Sequence, residues 1–356
     1  MRCNVGRYNY SKYEIVFKDR HLIFSLKNMT SAIAQPELGY DFDKIAVSTK
    51  TFTASTNLQI DLERLFDVLP VTHYEVAPKK RGRKKRTTAV GLQTTVAYGS
   101  IITLKYENQT KGNDLKQKSS KPKAKQKWFR NSFTVVIQLD KIINFKICRN
   151  GTFQMTGCKV DKHAHECVKY IWQYINDKDL LEAAGITNIE DLYTFTKGDA
   201  LQAVFIPAMR NIDFNLGFLV DREKLAHFMA TQTEFHCLLE TSFGYTGVNI
   251  KIPLKNNITD LNVHELVLND GETEVVKCTY DRYLEMLTPK ERENKLKQER
   301  YNTFLVFHSG KVIMSGMTAE FMRETFNEFL RIIRTCEDQI KERLDAPEII
   351  DSDSSE

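Results

Sequence analysis

The chain has 356 residues, 42% hydrophobic and 27% charged, with a net charge of +5. That is enough for one large core or two linked units, and no apolar run reaches the length that spans a bilayer as a helix. The seven cysteines (Cys3, Cys148, Cys158, Cys167, Cys237, Cys278 and Cys336) are scattered without a CxxC pair, which predicts free thiols in a reducing compartment.

In chain order, residues 1–40 form an N-terminal extension in which "YEIVFKDRHLIFSLKN" suggests two strands. "TKTFTASTNLQIDLERLF" (49–66) reads as a strand running into a helix. Residues 75–92 form a punctuated insert holding "KKRGRKKR", that is Lys79, Lys80, Arg81, Arg83, Lys84, Lys85 and Arg86 around one glycine. "AYGSIITLKY" (97–106) alternates as a strand, and a second insert, 107–130, is rich in lysine. Such cationic runs are solvated, and they point to nucleic acid or a nuclear-import receptor.

The next stretch, "ICRNGTFQMTG" (147–157), is two short strands about a polar-Gly turn. A helix follows, with Val168, Ile171, Trp172 and Ile175 on one face. "HAHEC" (163–167) suggests a metal, but helical spacing puts only His163 and Cys167 on one side. A helix surface is therefore the expectation.

The chain then repeats itself. "MRNIDFNLGFLVDREKLA" (209–226) aligns with 49–66 at an offset of 160, matching Asp221 to Asp61. "GYTGVNIKIPL" (244–254) resembles 97–106. A third insert, 255–300, carries a charged helix that starts at Thr288-Pro289. "VFHSGKVIMSG" (306–316) repeats the glycine unit at an offset of 159 (310 − 151 and 316 − 157). Its helix, capped by Thr318, buries Met322, Phe326, Phe329 and Ile333 and turns Arg323, Glu324, Arg331 and Arg334 to solvent. Residues 346–356 are an acidic tail. No phosphate-binding loop, GxSxG or HExxH is present, so neither an enzyme nor a cofactor is expected. Two copies of strand, helix, strands and helix predict an α+β domain closed on itself.

The doubled glycine unit with its following helices resembles the TATA-box-binding protein family, over roughly residues 45–106, 133–176, 201–254 and 302–334. The resemblance implies a pseudo-two-fold saddle, an antiparallel curved sheet with helices on its convex face. The repeats would span 41–182 and 195–345. The family is known to bind AT-rich double-stranded DNA in the minor groove and kink it, and to recruit RNA polymerase and initiation factors. In the second copy the matching groove-facing positions are Leu305, Phe307, Ile313 and Ser315. Phe307 and Tyr245 match wedges, Asn211 matches a base-reading amide, and Lys251 and Lys311 match cations near phosphates. In the first copy the positions hold Thr51, Lys146, Cys148, Gln154 and Thr156, with Tyr98 as outer wedge. One wedge has thus become cysteine, and apolar positions have become polar.

The expected function is a minor-groove general transcription factor acting in the nucleus, or in a viral factory or virion if a large DNA virus is the source. The chain would act as a monomer on DNA. The alternative is a protein-interaction adaptor that keeps the fold and has lost groove insertion.

Overall fold

The computed structural model describes residues 40–73, 96–113, 130–240, 247–269 and 272–342. All of them belong to one unit that begins at Tyr40. The cationic octet, residues 114–129 of the second insert, the expected strands of residues 1–39, Tyr245 and the acidic tail lie outside the described residues.

The first half of the chain gives β1 (Val47–Thr56), β2 (Leu58–Ile60), α1 (Leu62–Val68), β3 (Ile101–Tyr106), β4 (Gln109–Gly112), β5 (Ser132–Gln138), β6 (Ile142–Cys148), β7 (Thr152–Cys158) and α2 (Asp161–Ile175). A short α3 (Lys178–Ala183) and β8 (Tyr193–Phe195) lead to the second half. That half gives β9 (Ala203–Asn215), α4 (Arg222–Gln232), β10 (His236–Glu240), β11 (Gly247–Pro253), β12 (Asn262–Asn269), β13 (Glu272–Thr279), α5 (Tyr280–Leu284), α6 (Pro289–Lys297), β14 (Tyr301–Phe307), β15 (Lys311–Gly316) and α7 (Ala319–Ile340).

The class is α+β, built on a thirteen-stranded antiparallel sheet. Its main path runs β10-β11-β14-β15-β9-β1-β7-β6-β5-β3-β4. Reading outward from the central pair, β9-β15-β14-β11-β10 and β1-β7-β6-β5-β3 follow the same order of first, last, and then descending strands. The centre pairs Thr49 with Asn211 and Thr51 with Met209. Under the offset of 160, each of these pairs maps onto the other.

Local chemistry shapes the two halves alike. Asp61 caps α1 by accepting from the Glu63 and Arg64 amides, and Asp221 caps α4 through the Lys224 amide. The β6–β7 and β14–β15 turns close with Gly151 N–H donating to Cys148 O and Gly310 N–H to Phe307 O, at 3.0 and 2.9 Å. Each turn also ties to the strand-to-helix corner of its own half. Ile60 N–H donates to Arg149 O, and Val220 N–H to His308 O, both at 2.8 Å.

Alternation decides what is buried. Ile143, Phe145, Ile147, Phe153 and Met155 pack with Leu62, Leu65, Phe66, Val168, Ile171 and Ile175 in one core. Val248, Ile250, Phe304, Val306, Val312 and Met314 pack with Met322, Phe326, Phe329 and Ile333 in a second. Phe304 stacks on Phe329 with ring centroids 4.1 Å apart. The helices α1, α2, α4 and α7 thus all cover side chains of the same strand parity.

Four expectations are corrected. First, β11 pairs with β14 as β5 pairs with β6, so the counterpart of 244–254 is β5, and β3 corresponds in rank to β10. Alternation alone cannot tell an inner strand from an outer one. Second, the 255–300 insert is more than a charged helix, because β12 and β13 form a hairpin that adds to β9 at Ala203–Phe205. Its signal in the sequence is alternation about Asn269-Asp270-Gly271. A third small core holds it, with Val204, Ile206, Tyr280 and Phe321. The charged helix itself, α6, does start at Thr288-Pro289, where Thr288 and Glu291 form a capping box.

Third, Arg334 is half-buried, with Nε and Nη2 enclosed, whereas Arg323, Glu324 and Arg331 are exposed. Fourth, His163 and Cys167 are buried rather than on a helix surface. The start of α2 lies against the sheet, and His163 Nδ1 accepts from the Lys159 amide at 3.1 Å. Its Nε2 lies 2.7 Å from Asp140 Oδ1.

A pH-sensitive contact joins α2 to the hairpin. The His165 ring lies edge-on to Phe205 and His264, at 4.7 and 5.1 Å. Burial, helped by His264, lowers its pKa to about 4. The unfolded chain, with an ordinary histidine, takes up the proton first on acidification. The stability held by the neutral ring is therefore complete above about pH 6.5 and is lost as pH falls towards 4. The expected loss is up to about 2 kcal/mol after allowance for partial exposure, at about 1.4 kcal/mol per unit. Urea titrations at pH 7 and pH 4.5 should show it, and His165→Phe should flatten the difference. An unchanged difference in that variant would place the effect elsewhere.

Candidate nucleic-acid interface

The strand positions that skip the core share the opposite face, away from α1, α2, α4 and α7. In β14 and β15 these are Thr303, Leu305, Phe307, Lys311, Ile313 and Ser315. Leu305 pairs with Ile313 and Thr303 with Ser315. Leu305 leans over Gly247, where any Cβ would come within 2.7 Å of its Cδ1. Asn249 opposes Leu305 on the next strand, and Lys251 opposes Thr303. Ser315 opposes Asn211, which in turn opposes Thr49. Every candidate of the second copy except the undescribed Tyr245 is therefore brought together by register.

The first copy supplies the continuation. Thr53 opposes Gln154, and Gln154 opposes Lys146. Thr156 opposes Asn144, and Cys148 opposes Ser132. Thr51 sits two residues before Thr53 on the same face. Tyr98 is the one described candidate placed elsewhere. Its ring packs edge-on against Tyr170 of α2 at 6.0 Å, on the helix side of the sheet. Gly99 permits this at φ +87°, since a Cβ there would meet the Tyr170 ring. The physical reason is the strand assignment corrected above: β3 is an outer strand whose lead-in turns towards α2.

The two ends of this face differ in chemistry. The second half presents half-buried Leu305, Phe307 and Ile313. Asn211 Oδ1 and Asn249 Oδ1 are enclosed there without a hydrogen-bond partner among the described residues. An unpaired buried amide oxygen costs roughly 1–3 kcal/mol, which a ligand could recover. Lys251 and Lys311 are exposed at its borders. Lys311 Nζ lies 3.7 Å from Asp213, whose strand position opposes Ile313. The first half instead presents a polar hollow of about 530 Å³ lined by Gln59, Asn131, Ser132, Lys146, Cys148, Arg149, Asn150 and Gln154. Burial pushes the Cys148 thiol above its ordinary pKa, so it is neutral.

Sequence reasoning missed Asn249, Asp213 and Arg149. Asn249 and Asp213 were legible, as polar residues at the open parity of apolar strands. Arg149 was not, because it lies in a turn with no periodicity to aim it.

No family profile matches this chain. It is 25% identical over 322 residues to uncharacterized protein 335L of Invertebrate iridescent virus 6, across 86% of this chain and 88% of that protein. Among solved structures, the TBP of Methanococcus jannaschii aligns at a TM-score of 0.36 and 12% identity, across 82% of this chain and 98% of that one. Among the described residues no helix is long and apolar enough to cross a membrane.

Proposed function

We propose that the chain is a transcription-factor-like protein that binds AT-rich double-stranded DNA through the minor groove, with its open sheet face on the DNA. One observation carries this reading. A row of apolar side chains and amides, Leu305, Phe307, Ile313, Asn211 and Asn249, lies on the face turned away from the main helices, bordered by lysines. The minor groove of A·T pairs offers acceptors and apolar walls, which the apolar row and the NH₂ donors of the two amides suit. The matching strand order on either side of the β1–β9 pair supports a duplicated unit and a saddle. Polymerase and initiation-factor binding belongs to the opposite, helical face, with Arg331 exposed on α7. The likeness to an iridescent-virus protein supports a virus-encoded factor that acts where viral genomes are transcribed, in the nucleus or a cytoplasmic factory.

The direct test is a gel-shift series with AT-rich and GC-rich duplexes at several salt concentrations. AT preference supports the reading, and absence of duplex binding at low salt sinks it. The cationic octet should add sequence-independent attraction. Replacing its seven cations with serine should weaken binding to all duplexes alike. It should also shallow the log–log salt dependence by roughly 0.9 for each phosphate no longer neutralised. An unchanged slope would leave nuclear import as the role of that run.

The adaptor reading has one observation in its favour. Asp213 puts a carboxylate beside Ile313 in the middle of the proposed surface, where it would repel phosphates. Asp213→Asn separates the two readings. It should strengthen duplex binding if the face meets DNA, and leave DNA unaffected if the face meets protein.

A further inference from the structure

The hollow at the first-half end of the open face has a construction of its own. Four separate segments wall it, and main-chain hydrogen bonds lock them to one another. The Arg149 amide donates to Asn131 O at 3.1 Å, and the Arg149 carbonyl accepts from the Ile60 amide at 2.8 Å. The β6–β7 turn is therefore tied both to the lead-in of β5 and to β2. Lys146 and Gln154 face each other across the β6–β7 ladder. Asn150 Oδ1 accepts from the Thr152 amide at 3.3 Å, an Asx turn that holds the side chain and engages its oxygen. Among the described lining residues the charged groups are Lys146 and Arg149, both cationic. At about 530 Å³ it is larger than a lone oxyanion needs and lies in the range typical of small-molecule sites, about 300–1,000 Å³. At the equivalent offset the other half carries Leu305, Phe307 and Ile313, so the hollow is no by-product of the repeated topology.

We propose that this hollow is a nucleotide site, with the phosphate held by Lys146 and Arg149 and the base edge read by the amides of Asn131, Asn150 and Gln154. The proposal rests on reading the open face as a nucleic-acid surface and deepens it. The second half inserts apolar groups into the duplex, while the first half captures a single nucleotide through charge and hydrogen bonds. A planar guanidinium and an ammonium suit a phosphate group, and side-chain amides offer both the donors and the acceptors that base edges require. The nucleotide can come from the polymer or be free.

Cys148 lines the hollow and is half-exposed, so its reactivity reports occupancy. The experiment follows maleimide modification of Cys148, by peptide mass spectrometry, in the full chain. The probes are inorganic phosphate, dTMP and an AT-rich duplex. Duplex binding is measured in parallel by fluorescence anisotropy. Slower modification with dTMP or the duplex, and less protection by phosphate, is the expected result. Protection by the duplex identifies a nucleotide of the polymer, and protection by dTMP alone a free one. Lys146→Gln with Arg149→Gln should weaken dTMP protection about tenfold or more, because both charged donors to the phosphate are removed. Gln154→Ala, an exposed single change, should weaken it less, and equal thermal midpoints establish that the variants fold. A duplex that binds without protecting Cys148, together with inert dTMP, overturns the pocket and leaves the DNA face standing. Protection by dTMP in a chain that binds no duplex retains the pocket and sinks the DNA face. Equal protection by phosphate and dTMP overturns the base-reading part, and unchanged protection in the double variant overturns the proposal.

Discussion

Phe307→Ala is expected to weaken binding to an AT-rich duplex by on the order of 1–3 kcal/mol, the worth of one aromatic contact with a base. Cys148→Ala should leave affinity close to wild type. The two residues hold equivalent positions at offset 159, each ending the strand before its glycine turn. Phe307 is half-buried on the open face, where it opposes Gly247 in register, outside the helix-covered core. Removing it creates no core cavity, and the loss should appear in binding rather than in stability. Cys148 opposes Ser132 inside a polar hollow, and its small thiol supplies no comparable apolar area. The consequence is a one-sided complex, with the duplex bent mainly at the Phe307 end. Fluorescence transfer across an end-labelled duplex should show a smaller bend with Phe307→Ala and an unchanged bend with Cys148→Ala. Equal effects of the two substitutions, or a straight duplex with the wild-type chain, would refute the one-sided arrangement and favour the adaptor.

Gly310→Ala should cost on the order of 2–5 kcal/mol of stability, and Gly157→Ala only about 1–2 kcal/mol, although both glycines adopt a left-handed conformation. Gly310 has φ +75° and Gly157 φ +76°, so the backbone strain from a Cβ is the same. The surroundings differ. A Cβ on Gly310 would lie 2.3 Å from Phe218 O and 3.0 Å from Asn215 Oδ1. The first of these neighbours is backbone, held at the corner where Val220 donates to His308 O, so it cannot swing aside. A Cβ on Gly157 meets nothing within 4 Å. Gly151 repeats the Gly310 situation, with Leu58 O at 2.3 Å, and should show a similarly large cost. Denaturant unfolding of the three alanine variants would decide it. A Gly157→Ala cost as large as that of Gly310→Ala would mean that the close carbonyl contributes nothing.

The sequence by itself determined which side of each strand faces the helices. A period of two puts Leu305 with Phe307, and Ile313 with Ser315, on a common side of each strand, while the family resemblance named that side and carried it to Lys146 and Gln154. It also determined the glycine turns, because only a residue without Cβ tolerates positive φ beneath a carbonyl, and the cap at Thr318, because a helix start needs a side-chain acceptor in that place. Which strands become neighbours is another matter. Pairing is set by competition among all edges at once, and the Lys-rich insert hid that β5, rather than β3, answers to β11. Tyr98 was misplaced for that reason. The hairpin β12–β13 joined β9 because β15 ends at Gly316 and leaves the Ala203–Phe205 edge to be paired. His163 and Cys167, legible only as an exposed helical pair, went inside because the start of α2 lies against the sheet. The polar hollow could be seen in no single segment. Its walls come from residues 59, 131–132, 146, 148–150 and 154, and only backbone hydrogen bonds between those distant stretches bring their cations and amides together.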